Sequence, residues 1–263
     1  MNKIDNLFET KKKQGKTVFI LYVTAGFPDM KTTEEIIPEL EKSGADLIEL
    51  GVPFSDPIAD GPTIQKASAV ALESGATLHK ILQLVRRLRK KTEIPIVLFS
   101  AYNPFIAFNQ ENLLREASSA GVDGILVPDL PPEEADELIS LCDKKNLSHI
   151  FLVAPTTTPE RTKTIVDKSS GFIYYISTRG VTGARKDLDK GILSHIRDLK
   201  KMTEKPVAVG FGISSPEHVR KLKKHTDGII VGSALIRQIE KGKNRKERIQ
   251  NACKFTRSLA AEM

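Results

Sequence analysis

Two carboxylates close together in the sequence are candidates for proton-transfer chemistry. Glu49 stands between Ile48 and Leu50 in a short apolar run that is typical of a buried strand. An ionised carboxylate buried without a partner costs several kcal/mol. A buried glutamate therefore needs either an arginine or backbone donor to pair with, or a function. We favour the second interpretation, in which Glu49 is a general acid/base with a tuned pKa at the active end of the second strand.

Asp60 follows eleven residues later, at the end of a loop that Pro53 and Pro57 stiffen. Taken alone, the sequence of residues 60–62, Asp-Gly-Pro, is typical of an ordinary turn. A catalytic role for Asp60 therefore depends on a rigid loop that holds its carboxylate beside Glu49.

Glycines follow the last two predicted strands and suggest a phosphate site. One group is Gly210-Phe211-Gly212-Ile213-Ser214, and the other is Gly232 with Ser233. Barrel enzymes frequently bind phosphate with the backbone N–H groups of these two loops and a helix N-terminus. Gly183 could add a third donor. Close packing of helices on strands also selects small residues, but we favour phosphate because both glycine groups fall on the expected loops.

The predicted strand ends carry aromatic residues but few groups suited to other chemistries. Lys, His and Cys are absent from the last residues of the predicted strands, so neither a metal site nor a Schiff-base lysine is predicted. Aromatic side chains at strand ends could line an apolar pocket, although each alone is more common in a core; they are Tyr22, Phe99, Tyr102, Tyr174 and Phe211. The residues thus predict carboxylate acid–base chemistry on a small phosphorylated molecule.

Eight short apolar runs must position these groups. Each is followed by a stretch of helical periodicity, and they start about 30 residues apart, the size of a βα unit. The predicted strands are Val18–Val23, Leu47–Leu50, Ile96–Phe99, Gly124–Val127, His149–Val153, Phe172–Ser177, Val207–Val209 and Gly228–Val231. We predict one (β/α)8 barrel domain over residues 1–263, with an extra N-terminal helix and long loops after strands 2 and 6. An open doubly wound sheet is the alternative, but no Gly-x-Gly-x-x-Gly follows the first strand.

Composition limits the classes of partner. The chain has 263 residues and a net charge of +7, and the excess lies in residues 200–263, which contain 15 basic and 6 acidic residues. No aromatic residue interrupts the basic run 241–246, so we expect no nucleic-acid binding. Two cysteines, a polar N-terminus and apolar runs too short for a membrane span lead us to expect a cytoplasmic protein that does not bind membranes.

The seventeen residues from Glu49 to Gln65, ELGVPFSDPIADGPTIQ, resemble the signature of the tryptophan synthase α subunit family. The motifs at residues 23–28, 102–104, 127–131, 180–184 and 210–214 agree with that family in order and spacing. The resemblance implies a barrel lyase of tryptophan biosynthesis that cleaves indole-3-glycerol phosphate to indole and glyceraldehyde 3-phosphate by a retro-aldol reaction. It implies that Glu49 handles the protons and that Asp60 steadies positive charge at the indole N–H.

The same resemblance implies the substrate contacts. Phosphate would be bound by Gly183, Gly212, Gly232 and Ser233, and the indole pocket would be formed by Tyr22, Phe99, Tyr174 and Phe211. Thr182 would close over the site near the Asp60 loop.

The resemblance also implies a partner, a β subunit that carries pyridoxal phosphate and receives indole in an αββα heterotetramer. The α chain itself would carry no cofactor. The loop around Pro53 and Asp56 and the stretch 129–132 resemble the β-facing surface.

Two positions depart from the family pattern. Ala101 stands where an aromatic residue is usual, and Arg179 stands where smaller residues are common. One alternative is thus a catalytically weak α-like subunit that mainly activates its β partner. Another is a different phosphate-binding barrel enzyme of the same route, which would not need the block from Glu49 to Asp60.

Overall fold

Parallel strands alternate with helices along the chain, as predicted. The computed structural model describes residues 2–57, 60–176, 191–210 and 212–263. Its strands are β1 Val18–Thr24, β2 Leu47–Gly51, β3 Ile96–Phe99, β4 Gly124–Leu126, β5 Ser148–Ile150, β6 Leu152–Val153, β7 Ile173–Ile176, β8 Val207–Gly210 and β9 Gly228–Val231. All lie in one sheet in the order β5-β4-β3-β2-β1-β9-β8-β7-β6. The strands are buried on both faces, as parallel strands covered by helices are.

The two ends of this sheet meet in one short segment of chain. β5 and β6 are separated by Phe151 alone; β5 pairs with β4, whereas β6 pairs with β7. The backbone N–H of Tyr174 donates to the Phe151 carbonyl at 3.1 Å, so the segment changes partners at that residue. The single fifth strand predicted from the sequence is therefore split in two, and the prediction of an eight-unit barrel is confirmed.

Helices follow most strands and pack around the sheet. They are α1 Lys3–Lys13, α2 Met30–Lys42, α3 Pro62–Glu73, α4 Leu78–Leu88, α5 Tyr102–Phe108, α6 Gln110–Ala120, α7 Asp136–Lys144, α8 Pro159–Lys168, α9 Ile192–Lys201, α10 Pro216–Leu222, α11 Ser233–Lys241 and α12 Arg245–Ala260, with a 3₁₀ turn at Pro132–Glu134. Thr158 and Ser215 cap α8 and α10 with their hydroxyl oxygens. Within the described ranges, none of the helices has the length and apolar character needed to cross a membrane.

The predicted extra N-terminal helix, α1, covers the amino-terminal end of the barrel. Asn2 starts it with a capping box, and Ile4 and Phe8 are buried among the inward-facing side chains of the strands. The Phe8 ring lies 5.4 Å from the ring of Phe172. This end of the barrel is therefore filled with apolar side chains, which leaves the carboxyl ends of the strands for a binding site.

The two predicted long loops follow β2 and β7, and only the first is largely described. The loop after β2 is described except for residues 58–59, and it leads into α3 through Gly61 and Pro62. The predicted loop after β7 falls in residues 177–190, which lie outside the described residues. The predictions for Arg179, Thr182 and Gly183 fall in that range, and Phe211 also lies outside the described residues.

Candidate active site

A cleft opens at the carboxyl ends of the strands. Its empty space is about 540 Å³, part of it open to solvent. Seven of the predicted site residues line it: Tyr22, Asp60, Phe99, Tyr174, Gly212, Gly232 and Ser233. Ile64, Ile213, Ile230 and Ala234 supply further apolar surface. The cleft thus has an aromatic and aliphatic part next to a part bounded by glycines.

Glu49 lies in the middle of β2 and points into the barrel. It is fully buried, and its strand neighbours in register are Tyr22 and Val97. Neither carboxylate oxygen has a hydrogen-bond partner among the described residues, so the alternative of a compensating arginine or backbone donor finds no support there. Burial raises the pKa of this carboxyl to about 8. At neutral pH Glu49 is mostly protonated.

Asp60 is held at the rim of the cleft by its own loop and by α3. Its backbone N–H donates to the Pro57 carbonyl at 3.0 Å, and the Gln65 side-chain amide donates to the Asp60 carbonyl at 2.8 Å. Gly61 and Pro62 then begin α3 immediately behind it. Burial raises the pKa of the Asp60 carboxyl to about 6. Asp60 is therefore mostly ionised at neutral pH, unlike Glu49.

Tyr22 and Tyr174 both experience the negative charges of Glu49 and Asp60. Burial raises the pKa of the Tyr22 hydroxyl, and the negative charges of Asp60 and Glu49 raise it further. The pKa of Tyr174 is raised by burial, and then by Glu49, Tyr22 and Asp60. Tyr22 is the strand neighbour of Glu49 in register, and it lines the cleft together with Asp60, so the two carboxylates lie on either side of the same side chain. Phe99 meets Tyr22 edge-on with ring centroids 5.5 Å apart.

Two glycines lack the side chain that would otherwise collide with these tyrosines. A methyl group on Gly51 would overlap the Tyr22 ring, and one on Gly210 would overlap Tyr174. Both glycines end strands, β2 and β8, beside the strands that carry the tyrosines. This role was not predicted from the sequence: Gly51 had no assigned role, and Gly210 was predicted only as part of a phosphate loop. The position of a glycine next to an inward-facing tyrosine on the neighbouring strand is the signal that was missed.

Backbone donors bound the other part of the cleft. Gly212 follows β8 with a φ of +81°, a conformation that favours glycine. Gly232 precedes α11 without a side-chain cap, and Ser233 is the first residue of that helix. The first N–H groups of α11 thus lack a capping side chain, which is the arrangement that binds anions at helix N-termini.

Arg237 lines the cleft but was not predicted from the sequence. It lies on α11, four residues after Ser233 and so on the same face of the helix. That spacing from a predicted phosphate ligand is the signal that could have identified it.

A second cavity of about 420 Å³ adjoins the cleft and shares Tyr22, Asp60 and Phe99 with it. Ala101 lines this cavity, together with Phe54, Asp56, Pro57, Pro128 and Asp129. The small side chain of Ala101 thus faces the side of the site on which the predicted β-facing residues lie.

Comparison with known proteins identifies the family. A family model described as tryptophan synthase alpha chain matches residues 8–263. The chain is 50% identical over 240 residues to the tryptophan synthase alpha chain of Geotalea daltonii, with 91% of each chain covered. It is 46% identical over 259 residues, 98% of each chain, to that of Caldanaerobacter subterraneus subsp. tengcongensis.

A solved structure of tryptophan synthase subunit alpha from Legionella pneumophila is also similar. It superimposes with a TM-score of 0.92 at 35% identity, covering 100% of this chain and 98% of the other. Both the sequence and the fold are thus similar to these proteins over nearly the whole length of the chain. The chain therefore belongs to the tryptophan synthase alpha chain family.

Proposed function

We propose that this chain cleaves indole-3-glycerol phosphate to indole and glyceraldehyde 3-phosphate, with Glu49 and Asp60 as the catalytic groups. The observation that carries the proposal is a buried, unpaired Glu49 beside Tyr22, which lines the cleft together with Asp60. The pKa values of the two carboxyl groups also differ. Glu49 has a pKa of about 8 and Asp60 a pKa of about 6, so one is protonated and the other ionised at neutral pH. Such a separation supplies an acid and an anion at the same time.

The proton balance of the reaction needs one acid–base group. Protonated Glu49 donates a proton to C3 of the indole ring, which makes the ring an electron sink. The resulting carboxylate accepts the proton of the adjacent glycerol hydroxyl while the carbon–carbon bond breaks, releasing indole and the aldehyde. Glu49 is then protonated again, so the cycle closes without a net proton change. Because Glu49 is fully buried in this structure, neighbouring side chains must shift before it touches the substrate.

Asp60 has an electrostatic role in this scheme. Protonation at C3 leaves positive charge at the indole N–H, and an ionised carboxylate at the cleft rim stabilises it. The ring itself would lie among Tyr22, Phe99 and Tyr174, which line the cleft together with Asp60. Phe211 completes this pocket in the proposal.

The glycerol phosphate end would lie at the other part of the cleft. Gly212, Gly232 and Ser233 line it there, next to the N-terminus of α11. The bare backbone N–H groups and the Ser233 hydroxyl are the donors that a phosphate dianion accepts from. Gly183 and Thr182 complete the proposed contacts.

We also propose that a β subunit carrying pyridoxal phosphate receives the indole in an αββα assembly. The supporting feature is the second cavity, which leads from Tyr22 and Asp60 toward Asp56 and Asp129. The α chain would hold no cofactor, would form a single domain over residues 1–263, and would act in the cytoplasm.

The test is indole release from indole-3-glycerol phosphate, with and without the β subunit. Wild type, Glu49→Gln and a control, Glu73→Gln, are compared; Glu73 is an exposed carboxylate on α3. We expect activity in wild type and the control, and a loss of about a hundred- to ten-thousandfold in Glu49→Gln. Wild type without indole release, even with the β subunit, would overturn the proposal. Stimulation of the β subunit by such an inactive chain would instead support the weak α-like subunit.

A further inference from the structure

Arg237 is the one cationic side chain among the described residues that line the cleft. It is half-buried, and its guanidinium donates a long hydrogen bond from Nη1 to Thr63 Oγ1, 3.5 Å. No ion pair holds it to a carboxylate within the described part of the chain. A guanidinium without an acidic partner at the wall of a cleft retains its hydrogen-bonding capacity for a ligand.

The position of Arg237 on α11 directs it to one part of the cleft. Side chains on a helix tilt toward its N-terminus, so a residue four positions after Ser233 extends back over the first turn. That turn, with Gly232 and Ser233, is the part of the cleft wall proposed to bind phosphate. The hydrogen bond to Thr63 places the guanidinium between α11 and α3, the helix that follows Asp60.

We propose that Arg237 binds the phosphate of the substrate directly, as a charged ligand in addition to the backbone donors. This inference rests on the proposed function for the identity of the substrate. Backbone N–H groups carry only partial charges, whereas a guanidinium adds a full charge and a planar pair of donors that match phosphate oxygens. Arg237 thereby favours the doubly ionised phosphate over uncharged glycerol-like ligands. It contributes to substrate binding and leaves the proton transfer to Glu49.

The experiment measures binding of glycerol 3-phosphate and, separately, of indole to wild type, Arg237→Gln, Arg237→Lys and Lys241→Gln. Lys241 is an exposed cation on the same helix, so its variant controls for net charge and helix stability. We expect Arg237→Gln to weaken glycerol 3-phosphate binding by about ten- to a hundredfold, the range of a hydrogen bond to a charged group. Arg237→Lys should recover part of the affinity. Indole binding should be unchanged in all four proteins.

Turnover of indole-3-glycerol phosphate supplies an independent readout. Loss of a contact that is equal in ground state and transition state raises KM and leaves kcat unchanged. We therefore expect Arg237→Gln to raise KM with kcat within about threefold of wild type. Circular dichroism and retained indole binding show that the variant is folded.

The outcomes separate this inference from the proposed function. If Arg237→Gln binds glycerol 3-phosphate as tightly as Lys241→Gln while wild type cleaves the substrate, Arg237 is not a phosphate ligand and the proposed function stands. A second outcome is that wild type releases no indole, while Arg237→Gln weakens glycerol 3-phosphate binding and the control variant does not. The phosphate contact then stands and the proposed reaction fails. Equal losses for indole and glycerol 3-phosphate would also overturn the inference, since they indicate a general change in the cleft.

Discussion

Replacing Glu49 by glutamine should remove a large pH dependence of stability. Glu49 is fully buried, and neither of its oxygens has a hydrogen-bond partner in the described structure. Its pKa is about 8 in the folded protein, against 4.5 for an ordinary glutamate. The folded state therefore holds this proton more tightly than the unfolded chain does. The stability from the neutral carboxyl is fully present below pH 4.5 and is lost as the pH rises through 8.

The magnitude follows from the two pKa values. Each pH unit between them changes the free energy of unfolding by about 1.4 kcal/mol. The full loss from Glu49 is then roughly 5 kcal/mol above pH 8, of which roughly 2 to 3 kcal/mol falls between pH 6 and pH 9. Glutamine is neutral at every pH, so Glu49→Gln should lack this part of the loss.

Denaturant unfolding at pH 6 and pH 9 measures the effect. The quantity of interest is the difference between the two pH values, compared between wild type and Glu49→Gln, since all other groups titrate alike in both. Glu73→Gln, which removes an exposed carboxylate, should follow wild type. A change with pH that is the same in wild type and Glu49→Gln would refute the reasoning, because it would mean that Glu49 is solvated or paired in the folded protein.

Three further perturbations test other parts of the structure. Asp60→Asn should lower kcat by about a hundredfold and abolish the rise of activity as the pH passes through 6, because the ionised carboxylate is gone; initial rates across the pH range measure this, and a rise that persists would contradict the assignment. Gly51→Ala should destabilise by about 1 to 3 kcal/mol and impair activity, since the methyl group overlaps the Tyr22 ring. Thermal unfolding and indole release measure it, and an unchanged enzyme would disprove the packing argument. Phe8→Ala should cost about 3 to 5 kcal/mol through loss of its contact with Phe172. Its turnover at a temperature where it stays folded should match wild type, because the ring lies at the opposite end of the barrel; a selective loss of turnover would argue against that placement.

The barrel could be predicted because its elements are specified locally. Buried parallel strands need apolar side chains on both faces, so runs such as Val18–Val23 stand out without knowledge of their partners. Caps such as Thr158 and Ser215 mark helix starts through contacts three residues away. The break at Phe151 was not predictable in this way, because it depends on which strands pair on either side of the closing segment.

The sequence was sufficient to predict which residues are candidates for the site, but not how their side chains are arranged. A charged residue within an apolar strand made Glu49 a candidate, and glycines after the last strands made Gly212 and Gly232 candidates. Whether Glu49 has a compensating partner depends on every neighbouring strand, which no local pattern reveals. The contacts of Gly51 with Tyr22 and of Arg237 with Thr63 join elements that are distant in sequence. Such contacts are set by packing alone.

The barrel links the stability of this protein to its chemistry. α1 fills the amino-terminal end with Ile4 and Phe8, and the strands are buried on both faces, so water does not reach the middle of β2. The same exclusion of water that makes an ionised Glu49 costly raises its pKa and keeps it protonated at neutral pH. A hydrogen-bond donor to the Glu49 carboxylate would lower that cost, and it would also lower the pKa, so that less Glu49 would be protonated at neutral pH. The lack of a partner for Glu49 among the described residues therefore lowers stability, and the proposed proton transfer requires it.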